Sequence, residues 1–253
     1  MILRDFHLHT TYCDGKSTPL EVVLSAIEKG VKTLGITTHC YTPFHIYGNL
    51  SPSSVYEFAN EINALKARFK DKIDIYCGIE EDYFGQTDLS KFDYVIGDVH
   101  YLSNGVDYYS VDHGQIDIRE CVEKVFGGDA YKALEKYFEQ MVAVVKRTNA
   151  DIVGHFDVIT KNNNGGAIFN EGDPRYVSAW KNAVDEILKF KPNIYFEVNT
   201  GGISRGYKNI PYPSKEIADY IKSKGGKLLL TSDSHHKDTL CYEFEKWAKE
   251  YEI

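Results

Sequence analysis

No apolar run in the 253-residue sequence is long enough to span a bilayer, which argues against a helical membrane protein and against a membrane partner. Linkers, internal repeats and low-complexity segments are also missing, so the expectation is one domain over residues 1–253. Positive charge is in short supply. Lys and Arg number 29 against 37 Asp and Glu, a formal net charge of −8, which speaks against a general grip on nucleic-acid phosphates. The five cysteines, Cys13, Cys40, Cys77, Cys121 and Cys241, are scattered and form no Cys-x-x-Cys. That pattern predicts reduced thiols in a cytoplasmic protein rather than a disulfide framework. Cys13 and Cys40 lie near candidate ligands but read first as small packing residues. Candidate chemistry begins as early as His7, so no cleaved leader is expected.

What is present starts with Phe6-His7-Leu8-His9. Ile2 to Phe6 is short and mostly apolar and reads as a buried strand. Residues two apart in a strand face the same side, so His7 and His9 would present two imidazoles together at its carboxyl end. Two neutral imidazoles on one rigid edge can chelate a transition metal. A lone His-x-His is weak evidence, but the same event recurs along the chain: a strand ends in a metal-ligand residue type.

Thr18-Pro19-Leu20-Glu21 is a capping box with proline at the first helical position, opening a helix to about Gly30. Thr33–Thr38 reads as a strand ending at His39. Ser51-Pro52 opens a helix with Val55, Phe58, Ile62 and Leu65 at helical spacing. Ile73–Ile79 is a strand ending at Glu80, and Phe92–Val99 one ending at His100. A long insertion, residues 101–128, is rich in Tyr, Asp and Gly and reads as a functional loop or lid. Asp129 caps a helix through Val145. Ile152–Gly154 is a strand ending at His155, Asp173-Pro174 opens a helix, and Ile194–Val198 is a strand ending at Asn199. A helix from Pro213-Ser214, the strand Lys227–Thr231 leading into Ser232-Asp233-Ser234-His235, and a helix near Tyr242–Glu250 complete the chain.

Seven strands alternating with helices are the signature of parallel β/α units, and seven units in one domain favour an α/β barrel. In such barrels the chemistry sits at the carboxyl ends of the strands. His7, His9, His39, Glu80, His100, His155, Asp233 and His235 all fall there, and no histidine lies in a predicted helix. With Asp14 in the first loop, they could ligate two or three divalent ions. Imidazole and carboxylate without thiolate suit zinc, manganese or iron. A carboxylate such as Glu80 can bridge two ions, and the reaction class that best uses an activated water and charge neutralisation is phosphate-ester hydrolysis. Glu81 and Asp82 flank Glu80, and at most one or two of the three should face the site. His45, His113 and His236 have no strand-end placement and read as solvated surface. Asp5 reads as a partner behind the ligands or a surface charge.

Phe6-His7-Leu8-His9-Thr10, Thr37-Thr38-His39, Gly78-Ile79-Glu80, Val99-His100, Gly154-His155-Phe156-Asp157 and Ser232-Asp233-Ser234-His235 together resemble the polymerase-and-histidinol-phosphatase (PHP) metal-dependent phosphoesterases. The resemblance implies a distorted seven-unit β/α barrel. Within the family it extends to members that hydrolyse L-histidinol phosphate, through Tyr101-Leu102, the Tyr108–Asp112 stretch, Glu197-Val198-Asn199-Thr200 and Tyr212-Pro213-Ser214. Carried over by motif, one metal would take His7, His9, Glu80 and Asp233. A second would share Glu80 and add His100 and His155, and a third would take Asp14, His39 and His235. Asp233, His9 and Glu80 are then the catalytic candidates, with Asp233 as ligand and base. Arg205, Lys161 and Asp112 are the candidate substrate-binding residues, with ordinary exposed cations as the alternative for the first two. The family pattern Asn-Thr-x-Gly-Leu-Arg is not kept, since Arg205 stands one position late, after Gly202-Ile203-Ser204. Two rivals remain: a PHP enzyme acting on another ester such as a nucleotide, and a non-catalytic metal-stabilised module.

Overall fold

The computed structural model describes residues 3–44 and 51–253 of the chain. Ile2 and His45 therefore lie outside the described residues. Nine strands are described: β1 Arg4–Asp5, β2 Thr33–Ile36, β3 Asp74–Asp82, β4 Tyr94–Asp98, β5 Tyr101–Ser103, β6 Tyr108–Ser110, β7 Ile152–Val153, β8 Tyr195–Asn199 and β9 Lys227–Thr231. Seven of them form one parallel sheet in the order β1-β2-β3-β4-β7-β8-β9. A parallel bridge from Leu8 to Ser234 brings its two edges together, so the sheet is a nearly closed barrel, as expected. Asp5 reinforces the seam. Its carboxylate is fully buried and accepts from the Ser232 backbone N–H at 3.0 Å, the Ser232 hydroxyl, and the Cys241 N–H at 3.2 Å. It is therefore a staple between the first and last strands rather than a surface charge.

The helices are α1 Pro19–Glu28, α2 Ser54–Phe69, α3 Gln115–Phe126, α4 Ala130–Thr148, α5 Pro174–Phe190, α6 Gly201–Ser204, α7 Lys215–Ser223 and α8 Phe244–Tyr251. Their starts follow local chemistry. Thr18 and Glu21 form the reciprocal capping box of α1, and the Asp129 and Asp173 carboxylates accept the first free N–H groups of α4 and α5. Each such cap contributes about 1 kcal/mol. Val22, Val23 and Ala26 of α1 and Phe58, Ile62 and Leu65 of α2 bury one flank of the barrel; Leu134, Tyr137, Phe138 and Met141 of α4 and Trp180, Val184 and Ile187 of α5 bury the opposite one. The interior is plugged from below by Tyr94, Ile96, Ile152 and Leu229. Tyr94 fits because Gly35 and Gly78 leave it room: a Cβ at either position would fall 2.2 Å from its ring or hydroxyl.

The insertion differs from the expected loop. It is an antiparallel hairpin, β5–β6, followed by the twelve-residue helix α3. The Tyr-, Asp- and Gly-rich composition points to a loop, but the short apolar stripe Ile118, Cys121 and Val122 buries against the rest of the domain and makes α3 a helix.

Candidate metal centre

His7 and His9 are buried and do share a side: their Nε2 atoms lie 3.1 Å apart. Glu80, placed inside β3 rather than at its end, reaches both, with oxygens 3.3 Å from His7 Nε2 and 3.4 Å from His9 Nε2. Asp233 Oδ1 lies 3.3 Å from His9 Nε2. Beyond Glu80 stand His155 and His100, with Nε2 atoms 3.0 and 3.5 Å from Oε1. On the other side His39 Nδ1 lies 2.7 Å from Glu80 Oε2, and Asp14 is 3.4 Å from His39 and 3.1 Å from His235. All nine ligand candidates therefore converge; all but the deeper His7 and His9 line a cavity of about 330 Å³ that Arg205, Lys161 and Asp112 also line.

The donor atoms fall into three groups, each within 4.8 Å: His7-His9-Asp233 and His9-Asp14-His39-His235, which share His9, and Glu80-Asp98-His100-His155. Ligands of a tetrahedral ion with bonds of about 2.0 Å lie about 3.3 Å apart, close to the spacings here. The nitrogen–nitrogen approach of His7 and His9 is unfavourable without a cation or proton between them. Two buried carboxylate oxygens in the cluster, Glu80 Oε2 and Asp98 Oδ2, also lack a hydrogen bond. The residues present fit divalent metals.

The electrostatics agree. Burial opposes the His7 imidazolium, but Glu197, Glu80 and Asp233 hold its pKa well above the ordinary value. Burial and His39 oppose His9, yet Cys13 and Asp233 raise it to about 9. Burial would lift Glu80 and Asp233, but the imidazoles around Glu80, and Arg205 with His7 beside Asp233, keep both carboxylates well below their usual range. The pocket is built to hold positive charge, and protons and cations compete for the same nitrogens.

Four contributors escaped the sequence reading. Glu197, fully buried, accepts from His7 Nδ1 at 2.5 Å and from the His155 backbone N–H at 2.8 Å, so one carboxylate fixes ligands of two groups. The Asn199 amide braces it at 3.0 Å. Asp98 joins the group around His155, and Cys13 Sγ lies 3.3 Å from His9 Nδ1. The last is a correction to the reading of Cys13 as packing alone. Asp98 was legible, since it stands two residues before His100 on the same strand face, as His7 stands before His9.

Glu80 and Asp82, two apart on β3, both line the mouth, whereas Glu81 turns away to Arg147 at 3.4 Å. Asp82 accepts from the His100 and Phe84 N–H groups. His113 is exposed but sits at the rim of the cavity, and His236 caps a short 3-10 turn through the Asp238 N–H. Arg205 follows α6, a helix not foreseen. From there it donates to Asp233 Oδ2 at 2.8 Å and to His235 Nδ1, while its buried Nε has no partner. Its late position in the motif has not removed it from the mouth. Lys161 is held by Asp112 Oδ2 at 3.0 Å and lies over the Tyr207 ring, so it is not an unpaired cation.

A family model described as the PHP domain matches residues 5–201. A Deinococcus radiodurans protein named as a probable histidinol-phosphatase is 26% identical, covering 98% of this chain and 92% of its own. Among solved structures, a Listeria monocytogenes chain designated hisK superposes with a TM-score of 0.83 at 19% identity, covering 96% of this chain and 99% of its own. The histidinol phosphate phosphatase of Lactococcus lactis, solved with zinc, L-histidinol and phosphate, superposes with a TM-score of 0.71 at 20% identity over 99% of this chain and 94% of its own.

Proposed function

The chain belongs to the PHP domain family, and from that premise we propose that it hydrolyses L-histidinol phosphate to L-histidinol and phosphate, in the cytoplasm, as a step of histidine biosynthesis. The observation that carries the reading is the convergence of nine imidazole and carboxylate ligands, with an arginine beside them, on one mouth. The names of full-length relatives supply the substrate. No helix among the described residues is long and apolar enough to cross a membrane.

Two or three divalent ions of zinc, manganese or iron are held by His7, His9, Asp14, His39, Glu80, His100, His155, Asp233 and His235. When bound, such ions bring the pKa of coordinated water toward neutrality and neutralise charge on the phosphate. Asp233 takes up the proton of the attacking water, because its carboxylate faces the cluster and is kept ionised by Arg205 and His7. His9, common to two groups, and Glu80, beside His7, His9, His39, His100 and His155, hold that geometry. Arg205, with Nε unpartnered, binds a phosphate oxygen. The Lys161 ammonium on Asp112 marks a place that the substrate's own ammonium can compete for.

The test is phosphate release from histidinol phosphate beside a panel of nucleotides. Turnover of histidinol phosphate alone, lost in His9→Ala with the fold intact by circular dichroism, is expected. Preference for a nucleotide would replace the substrate, and full activity in His9→Ala would remove the mechanism.

A further inference from the structure

Asp98 has no role in the mechanism above, yet its surroundings are those of a ligand. It is completely buried at the last position of β4. Its Oδ1 accepts the Val99 N–H, which fixes the carboxylate plane. The other oxygen, Oδ2, is aimed at the centre and has no hydrogen bond. It lies 2.9 Å from His155 Nε2 and 3.8 Å from His100 Nε2, while Glu80 Oε1 lies 3.0 and 3.5 Å from the same two nitrogens. The backbone makes way for it: a Cβ at Gly154 would fall 2.8 Å from Asp98 Oδ2. A buried carboxylate oxygen without a donor costs a large desolvation penalty unless a cation meets it.

We propose that Asp98 is a direct metal ligand, so that the position at Glu80, His100 and His155 is a four-donor site of two carboxylates and two imidazoles. It rests on the metal reading of the mouth but adds a donor to it. Two carboxylates make this position richer in oxygen than the outer group of His9, Asp14, His39 and His235, which has three imidazoles and one carboxylate. Oxygen-rich sets favour manganese or ferrous iron relative to zinc, compared with imidazole-rich ones. The mouth is thus graded, and a mixed-metal centre follows from it.

The experiment is metal content and manganese affinity, by elemental analysis after dialysis and by manganese titration with electron paramagnetic detection, on the full chain and on Asp98→Asn. The amide keeps the Val99 acceptor and the volume but loses the charge. The expected result is loss of one tightly held ion per chain, manganese affinity at that position lower by about tenfold or more, and a smaller loss for zinc. Unchanged ion count and affinities in Asp98→Asn would overturn the proposal and leave Asp98 as a partner of His155 only. An unmodified chain that binds no metal at all would instead remove the reading beneath it. Should Asp98→Asn fold poorly, Asp98→Glu serves as the second variant: a carboxylate one methylene longer in a site this close must shift the manganese spectrum if it ligates.

Discussion

The inner and outer halves of the mouth are built differently. His7, His9, Glu80, His155 and Asp233 are nearly inaccessible, and Glu197 fastens both His7 and the backbone of His155 from behind. Asp14, His39 and His235 form the outer half; the Asp14 side chain is 41% exposed and belongs to a loop, not a strand. His235 is braced through Nδ1 by Arg205 rather than by a carboxylate standing behind it. The inner half is a preorganised cage, whereas the outer half leans on the half-exposed loop carboxylate of Asp14 and on Arg205. An ion in the outer half should therefore exchange faster and be the first to leave.

That contrast can be broken by three measurements. Asp233→Asn, which touches the inner half and removes the proposed base, should lower turnover by about a thousandfold or more while the fold persists; steady-state phosphate release decides it. Glu197→Gln touches no substrate yet removes the support of two inner ligands. Metal affinity in the inner half should drop about 10- to 100-fold, seen as a shifted cobalt spectrum and partial recovery of activity at high metal, which a purely structural defect would not show. Asp14→Ala should empty only the outer position, costing on the order of tenfold in affinity for one ion and leaving the others after mild chelation. An equal loss of all ions in Asp14→Ala would erase the distinction between the halves.

The smallest effect concerns a group outside the cluster. Burial lifts the Asp157 carboxyl to about 7, and its Oδ1 has no partner. Because the folded chain keeps this proton after the unfolded chain has lost it, stability contributed here falls as pH rises from about 4 to about 7 and stays low above. Asp157→Asn, which cannot ionise, should melt a few degrees higher than the parent at pH 8 and show no such gain at pH 4. Parallel melting curves at both pH values would sink this.

Strand-end ligands were readable because parallel strands must alternate with covering helices, and chemistry then gathers at one rim. His7-x-His9, His39, His100 and His155 each announced themselves in that way. What escaped lay in two other kinds of place. Glu197 is read easily as a strand residue, but only its position across the barrel, 190 residues from His7, makes it a support. The helix α3 escaped because its buried stripe is short and its turns are rich in Gly and Asp, the marks of a loop. Asp5 carried two readings, a partner behind the ligands or a surface charge, and its burial at the seam removes only the second.

Periodicity and residue type alone were enough to set the class of fold and the identity of nearly every metal-binding candidate, since both follow from local rules of strand pleat, helix cap and ligand chemistry. Tertiary structure decided which donor atoms lie within reach of one another, which carboxylate stands behind which imidazole, and that Arg205 faces the centre. Those are distances between segments far apart in the chain, fixed only when the barrel closes at the Leu8–Ser234 seam.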